Sequence, residues 1–342
     1  MTGLILLAVI AALGWKLRAP AGLLWGTLAI LWGAFVLVHL LFPDPTHPLP
    51  ALIGGSLPAW IGLGVVAGIV QAYRWALARL RARAVTPEAP AEGPFSKTEL
   101  NRYSRHLLLR EIGGTGQRRL KSARVLVVGA GGLGAPALLY LSAAGVGTLG
   151  VIDHDEVSNS NLQRQVLYRD ADIGTPKVFA AETALRALNP FIAIKPYHRR
   201  LTEDIAADLI ADYDLVLDGC DDFETRQLVN RACVAAGKPL ISAAISQWEG
   251  QIGLYHPATG GPCLACLFPK APAPGLAPTC AEGGVMAALP GILGTMMAAE
   301  AIKEITRAGT SLRGKLQLID ALYGENRTIE VKRDPSCPVC GG

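Results

Sequence analysis

The run Gly129-Ala130-Gly131-Gly132-Leu133-Gly134 follows the β-branched stretch Arg124 to Val128 and opens an Ala/Leu-rich stretch reaching about Ala144. Glycines at the first, third and sixth positions let backbone N–H groups close on a phosphate, and a helix N-terminus behind them favours its negative charge. Asp153 stands at the end of the next expected strand, where an acidic side chain meets a ribose hydroxyl. These residues predict a nucleotide site. By itself the loop does not separate a dinucleotide from ATP.

The residues downstream do separate them. Asp153-His154-Asp155 leads to Ser160-Asn161-Leu162-Gln163-Arg164-Gln165 and then to Gly174-Thr175-Pro176-Lys177. A hydride-transfer site needs few cations. A site that breaks a triphosphate needs Arg and Lys against the developing charge, and usually a carboxylate for Mg²⁺. Arg164 and Lys177 supply the cations. Asp221, in Asp218-Gly219-Cys220-Asp221-Asp222, supplies the carboxylate at the C-terminal end of a strand, where such sheets place ligands.

The chain has seven cysteines. Cys263-Leu264-Ala265-Cys266 and Cys337-Pro338-Val339-Cys340 form two CxxC pairs, each in a Pro/Gly knuckle, and four thiolates suit a closed tetrahedral Zn²⁺ site of structural role. Cys220 and Cys233 lie in apolar settings and read as buried structural residues. Cys280 lies in the loop Ala277 to Gly284 ahead of a helix, a setting that lowers a thiol pKa, so it reads either as a reactive thiol or as an ordinary loop residue.

These groups need a scaffold. Ser96-Lys97-Thr98-Glu99 is a capping box that predicts a helix running to about Glu111. Strands are expected at 124–128, 148–153, 192–196, 215–218 and 239–243. They alternate with helices ending near 144 and at 175–188, 204–211 and 225–236. That alternation predicts an α/β fold: a Rossmann-like, mostly parallel sheet with helices on both faces. Beyond Trp248 the pattern changes to added strands at 251–255, 316–319 and 328–331, a C-terminal antiparallel extension, with a long helix over 286–305.

The N-terminal part is different. Of 342 residues, 51% are hydrophobic and only 18% charged, against about 25% charged in an ordinary soluble domain. The excess is local. Residues 1–83 hold five of the six tryptophans, six basic side chains and one acidic one, leaving 26 basic and 27 acidic groups in the remainder. The overall +4 is therefore no nucleic-acid footprint, and a basic DNA-binding protein is excluded. Ala21 to Phe42 and Ala51 to Tyr73 each reach the length of about 20 apolar residues that a membrane span needs, with Pro58 and Gln71 as weak points in the second. Thr2 to Trp15 is shorter, about 21 Å as a helix, so residues 1–83 predict two or three transmembrane helices. Lys16, Arg18, Arg74, Arg79, Arg81 and Arg83 flank these segments, while Pro43 to Pro50 has no Lys or Arg. The positive-inside rule then places the rest of the chain in the cytoplasm, on the inner membrane, where disulfides are rare. Residues 84–95, rich in Pro, Ala and Glu, predict an extended linker.

In their combined order, Arg102-Tyr103-Ser104-Arg105, the Gly129–Gly134 loop, Ser160 to Gln165, Lys177, the Asp221 region and the two CxxC pairs resemble the bacterial ubiquitin-activating-type adenylating enzymes, the MoeB/ThiF/HesA group. The likeness covers about residues 96–342. It implies ATP-dependent adenylation of the C-terminal Gly-Gly carboxylate of a small ubiquitin-like sulfur carrier protein. By the same resemblance Asp153 binds ribose, Gly132 lies against ATP, Asn161, Arg164 and Lys177 hold the phosphates, and Asp221 helps hold Mg²⁺. Arg105 would reach the active site of the other protomer of a homodimer. The resembling enzymes share the long gap between the CxxC pairs, and some use a cysteine at the position of Cys280 to hold sulfur or carrier. They carry Asp-Asn after the fourth strand, with an adenine-side contact, where this chain has Asp221-Asp222. The carrier implied first is the small subunit of molybdopterin synthase, with the thiazole-synthesis carrier as the alternative. The sulfur donor is expected to be a separate protein. A membrane-tethered nucleotide sensor and an NAD dehydrogenase are the rival classes. The sensor has no need of Arg164, Lys177 and four clustered cysteines; the dehydrogenase lacks an evident substrate domain with a catalytic His or Tyr.

Overall fold

A computed structural model describes residues 2–17, 20–44, 46–83, 93–271 and 283–341. Most of the expected linker, and Cys280, lie outside the described residues. The chain divides into two units, 1–89 and 90–342.

The first unit holds helices α1 (Thr2–Lys16), α2 (Ala21–Leu41), α3 (Pro48–Ile53) and α4 (Leu57–Arg83). Among the described residues, two helices are long and apolar enough to cross a membrane, Gly22–Leu41 and Leu57–Leu77, and only 6% of each such stretch is buried. α1 is shorter than a span. The segment expected over 51–73 is broken, because Gly54 and Gly55 take positive φ values of 77° and 88°, a conformation that glycine adopts at little cost. Pro58 then falls in the first turn of α4, where its missing N–H is no loss. Trp60 ties α2 to α4. Its indole donates to Gly54 O at 2.9 Å, its carbonyl accepts from Trp32 Nε1 at 2.8 Å, and its ring lies 5.1 Å from Phe35.

The second unit is built on one eight-stranded sheet in the order β3-β2-β1-β4-β5-β6-β7-β8. The strands are β1 (Arg124–Val128), β2 (Thr148–Asp153), β3 (Ala193–His198), β4 (Leu215–Asp218), β5 (Leu240–Ser246), β6 (Glu249–Tyr255), β7 (Lys315–Asp320) and β8 (Glu325–Glu330). The first five pair in parallel and the last three antiparallel. This is the α/β sheet with an antiparallel extension that the sequence predicts. Alternation along β1 feeds two cores: Val125 and Val127 enter one, Leu126 and Val128 the other. The first is closed by α8 (Gly134–Ala144), α9 (Lys177–Leu188) and α12 (Leu289–Thr306) through Leu138, Leu185 and Met297. The second is closed by α10 (Glu203–Ala211) and α11 (Phe223–Ala236) through Ile210 and Val229.

The entry to this unit departs from expectation. The capping box forms, with Ser96 Oγ accepting from Glu99 N and Glu99 accepting from Ser96 N. The helix then breaks at Tyr103 into α5 (Lys97–Arg102) and α6 (Ser104–Leu107). Tyr103 is buried, and its hydroxyl accepts from Asn189 Nδ2 at 2.9 Å, so tertiary contact overrides helix continuity. A further helix, α7 (Gly113–Ser122), was not expected, because three of its first four residues are glycine.

Candidate functional site

Strand order reverses between β1 and β4, the switch point where sheets of this kind bind ligands beyond the strand C-termini. Two loops meet there: Gly129–Gly134 after β1 and Gly219–Asp222 after β4. Gly129 has φ of 89°, and a Cβ on it would lie 3.0 Å from Gly219 O. A Cβ on Gly134 would lie only 1.8 Å from Gly129 O, so the first turn of α8 closes directly onto the loop. Both positions therefore require glycine. Gly131 and Gly132 form the rest of the cradle, with Arg164 Cδ 3.9 Å from where a Gly132 Cβ would stand.

Asp153, at the end of β2, braces this loop. Its Oδ2 accepts from Ala130 N at 2.7 Å and its Oδ1 from Asp155 N at 2.8 Å. The buried Tyr168 hydroxyl donates to Ala130 O at 2.7 Å from the other side; burial, and then the charge of Asp153, push that phenol well above its usual range. Gln165 is buried over the loop, its Nε2 3.6 Å from where a Gly131 Cβ would stand, and its Oε1 has no hydrogen-bond partner among the described residues. A glycine-lined cradle with an orphaned amide oxygen beside it fits a polar ligand such as a nucleotide phosphate with its bound water.

The cations come from the segment after β2. Asn159–Asn161 form a short 3₁₀ turn, and Arg164 donates to Asn161 Oδ1 at 2.9 Å and to Ser160 O at 3.2 Å. Ser160 Oγ pairs with Ser158 Oγ, Leu162 packs on the core and Gln163 is exposed. Lys177 opens α9 because backbone bonds from Val157 N to Thr175 O and from Lys177 N to Asp155 O zip the two segments together. Its side chain is only 4% exposed, with Nζ 2.8 Å from Asp155 Oδ2. Burial raises the Asp155 carboxyl, but the Lys177 hydrogen bond and the charges of Lys177, His154 and Arg200 outweigh it and hold the group below its usual range.

Asp221 is exposed and makes no hydrogen bond or ion pair among the described residues. Its neighbour Asp222 caps α11, accepting from Thr225 N at 2.7 Å. That duty explains how a carboxylate stands where the resembling enzymes have Asn: either side chain caps a helix well. Arg105 is exposed and likewise unpaired among the described residues. Sequence reasoning missed Asp155, Tyr168 and the Gln165 amide. Gln165 belonged to the run already singled out; nothing in the sequence marked the pairing of Asp155 with Lys177.

The four cysteines of the CxxC pairs converge. Cys263 and Cys337 Sγ lie 3.6 Å apart, Cys266 and Cys340 3.5 Å, and Cys263 and Cys266 3.9 Å. A tetrahedron with Zn–S of about 2.3 Å has an edge of about 3.8 Å, so the cluster is compatible with zinc. Asn230 Nδ2 and Asp334 N approach Cys263 and Cys266 Sγ at 3.7 and 3.5 Å, as outer-shell donors do. Cys233 is buried as expected, while Cys220 is only half-buried between Asp218 and Arg226; burial, and then the charge of Asp218, push both thiols up.

The model of the ThiF family matches residues 103–339. The chain belongs to the ThiF family. Over 251 residues it is 51% identical to the sulfur carrier protein adenylyltransferase of Thermus thermophilus, covering 72% of this chain and 93% of that protein. It is 49% identical over 260 residues to the adenylyltransferase and sulfurtransferase MOCS3 of Mus musculus, covering 76% of this chain but only 56% of the mouse protein's length. Among solved structures, E. coli MccB with ATP is similar at a TM-score of 0.62 and 26% identity, over 70% of this chain and 74% of that one. The family match begins at residue 103 and leaves the apolar first unit of this ThiF-family chain outside it.

Proposed function

We propose that residues 96–342 adenylate the C-terminal Gly-Gly carboxylate of a small ubiquitin-like sulfur carrier protein. The observation that carries this reading is the switch-point cradle flanked by Arg164, a buried Lys177 and the exposed carboxylate of Asp221. The relative named as a sulfur carrier protein adenylyltransferase supports the choice of substrate. One carboxylate oxygen of the carrier attacks the α-phosphorus of ATP, the bond to the bridging oxygen breaks, and pyrophosphate leaves with that electron pair. Arg164, Lys177 and, from the partner protomer of a homodimer, Arg105 neutralise the charge that grows on the phosphate oxygens. Asn161 orients Arg164, and Asp153 receives the ribose. Asp221 would hold Mg²⁺, which supplies charge neutralisation on the phosphates. No enzyme nucleophile is required, so Cys280 has its place only in later thiol chemistry.

Zn²⁺ on Cys263, Cys266, Cys337 and Cys340 would have a structural role, since four thiolates leave no open position. A separate sulfur donor would attack the acyl-adenylate. The first unit would anchor the enzyme in the inner membrane through α2 and α4, with the adenylating domain in the cytoplasm. Exposed Ile30, Leu41, Val66 and Ile69 on those helices support a nonaqueous surrounding. The carrier favoured by the resemblance is the small subunit of molybdopterin synthase, with the thiazole-synthesis carrier as the alternative. ATP–pyrophosphate exchange with each purified carrier tests the reading: exchange that depends on a carrier ending in Gly-Gly is expected. Absence of exchange with every such carrier would return the site to a passive nucleotide sensor.

A further inference from the structure

The loop carrying Asp221 is held by a buried ionic clamp that the adenylation chemistry does not itself use. Asp218, at the end of β4, is fully buried; its Oδ1 accepts from Cys220 N at 3.0 Å and its Oδ2 from Ser242 Oγ at 2.6 Å. Arg226, in the first turn of α11, has a side chain only 13% exposed and lies 3.6 Å from the same Asp218 Oδ2 through Nε. Its Nη2 donates to Cys220 O at 2.6 Å, and its Nη1 donates to Ala243 O at 3.0 Å and Ser242 Oγ at 3.3 Å. A cation in the first turn of a helix opposes the helix dipole. The planar fork of Arg226 is offset by a carboxylate, a hydroxyl and two carbonyls, a set that no ammonium matches. The result is specific. Asp218 and Arg226 grip Cys220 by its N–H and its C=O, which fixes the peptide entering Asp221, while Asp222 is fixed on the other side as the cap of α11. Asp221 is thus a carboxylate unpaired among the described residues, on a backbone pinned at both neighbours.

We infer that Arg226, acting with Asp218 and Ser242, is a positioning residue that aims the Asp221 carboxylate at the metal of a metal–nucleotide substrate. The inference rests on the reading that Asp221 holds Mg²⁺. Mutating outer-shell partners of a metal ligand typically lowers metal affinity about 10- to 100-fold, and that is the effect to look for.

The test measures ATP binding to the full-length protein by calorimetry, in EDTA and in Mg²⁺, for wild type, Arg226→Lys, Asp221→Asn and the double variant. Wild type binds Mg·ATP more tightly than metal-free ATP. Arg226→Lys keeps its affinity in EDTA and loses about tenfold of the Mg²⁺-dependent gain. Asp221→Asn shows the same loss, and the double variant falls no further than either single one, because both act through one carboxylate. Ser242→Ala, a small change that removes one strut of the clamp, shows a lesser loss in the same direction and stands in if Arg226→Lys fails to fold. Equal losses in EDTA and in Mg²⁺ would assign Arg226 a general scaffolding role and overturn the inference, as would additive losses in the double variant. A wild-type protein whose ATP binding ignores Mg²⁺, or an Asp221→Asn variant that keeps the full wild-type Mg²⁺-dependent gain, would overturn the metal assignment, and the inference with it. Carrier-dependent exchange is not used, so a wrong carrier cannot be mistaken for a failed clamp.

Discussion

Replacing Lys177 by Met separates catalysis from stability. The lysine is buried, while its partner Asp155 keeps a side chain 52% exposed. Methionine fills the same channel with an unbranched apolar chain and removes only the charge. Folding should then lose little, because Asp155 still has water; the cost lies at the low end of the roughly 1–3 kcal/mol for a stranded polar group. For a domain of this size, each kcal/mol lowers Tm by about 2–4 °C. Adenylation should lose far more. Removing one preorganised donor from a developing charge costs about 2.7–4 kcal/mol, or about 10²- to 10³-fold in rate. ATP affinity should fall less than the rate, since the Gly129–Gly134 cradle and Asp153 are untouched.

The assay is carrier-dependent pyrophosphate exchange, with calorimetry for ATP binding and thermal unfolding as the control. Asp155→Asn is the decisive companion. If Lys177 acts on the phosphates, that variant keeps the cation and loses less than about tenfold, well under the loss in Lys177→Met. If Lys177 serves only to neutralise Asp155, adding Asp155→Asn to Lys177→Met restores exchange, because no carboxylate charge is then left to neutralise. A folded Lys177→Met protein within about threefold of wild type, less than 1 kcal/mol of barrier, would refute the phosphate role outright.

Mixing Arg105→Ala with Lys177→Met protomers should restore about half of the wild-type exchange in the heterodimer, since one site then has both cations and the other neither; no recovery means that Arg105 does not cross between protomers. Metal analysis should find one zinc per chain and none in Cys337→Ser, with the loss showing in Tm rather than in the rate of a folded sample; zinc retained by that variant refutes the four-cysteine site. Burial raises the Glu99 carboxyl, but its hydrogen bonds with Lys121 and Ser96 and the charge of Lys121 hold it below the usual 4.5. Its stabilisation is therefore present above pH 4.5 and lost as pH falls through the lower folded value, so Glu99→Gln should flatten the acid side of the Tm profile; an unchanged slope counts against this pairing. Full-length protein should stay with membranes through a high-salt wash while residues 96–342 alone remain in the supernatant, and full-length protein released by salt would contradict a spanning anchor.

Much of this was legible in the sequence because it is written locally. The Gly129–Gly134 loop requires only a strand before it and a helix after it, and Asp153 only the length of one βα unit. The capping box at Ser96 and the two knuckles are likewise contained in a few residues. What was not legible depends on segments that meet only in the fold. Tyr103 ends its helix because Asn189 lies 86 residues away and holds its hydroxyl. Lys177 faces Asp155 because the chain returns on itself at Val157 and Thr175. The Asp218–Arg226 clamp needs β4, β5 and α11 together, and no spacing rule joins Asp218, Arg226 and Ser242. The break at Gly54 and Gly55 was visible as a glycine pair, but the apolar run around it masked the turn.

α11 connects the two centres of the second unit. Its cap, Asp222, and its first-turn arginine, Arg226, fix the loop at the nucleotide site. Asn230 stands one turn beyond Arg226, donating to Cys263 Sγ and accepting from Leu264 N at 2.9 Å, so the same helix touches the cysteine cluster. Residues four apart lie on one helix face, and a helix is stiff over one turn. The cysteine cluster, in turn, joins the segment after β6 to the C-terminal tail through Cys337 and Cys340. A bound zinc would therefore brace α11 from behind while the clamp braces it in front. This gives a four-thiolate site, which has no open position for chemistry, a physical reason to sit beside a catalytic unit: it stiffens the helix from which the Asp221 loop is hung.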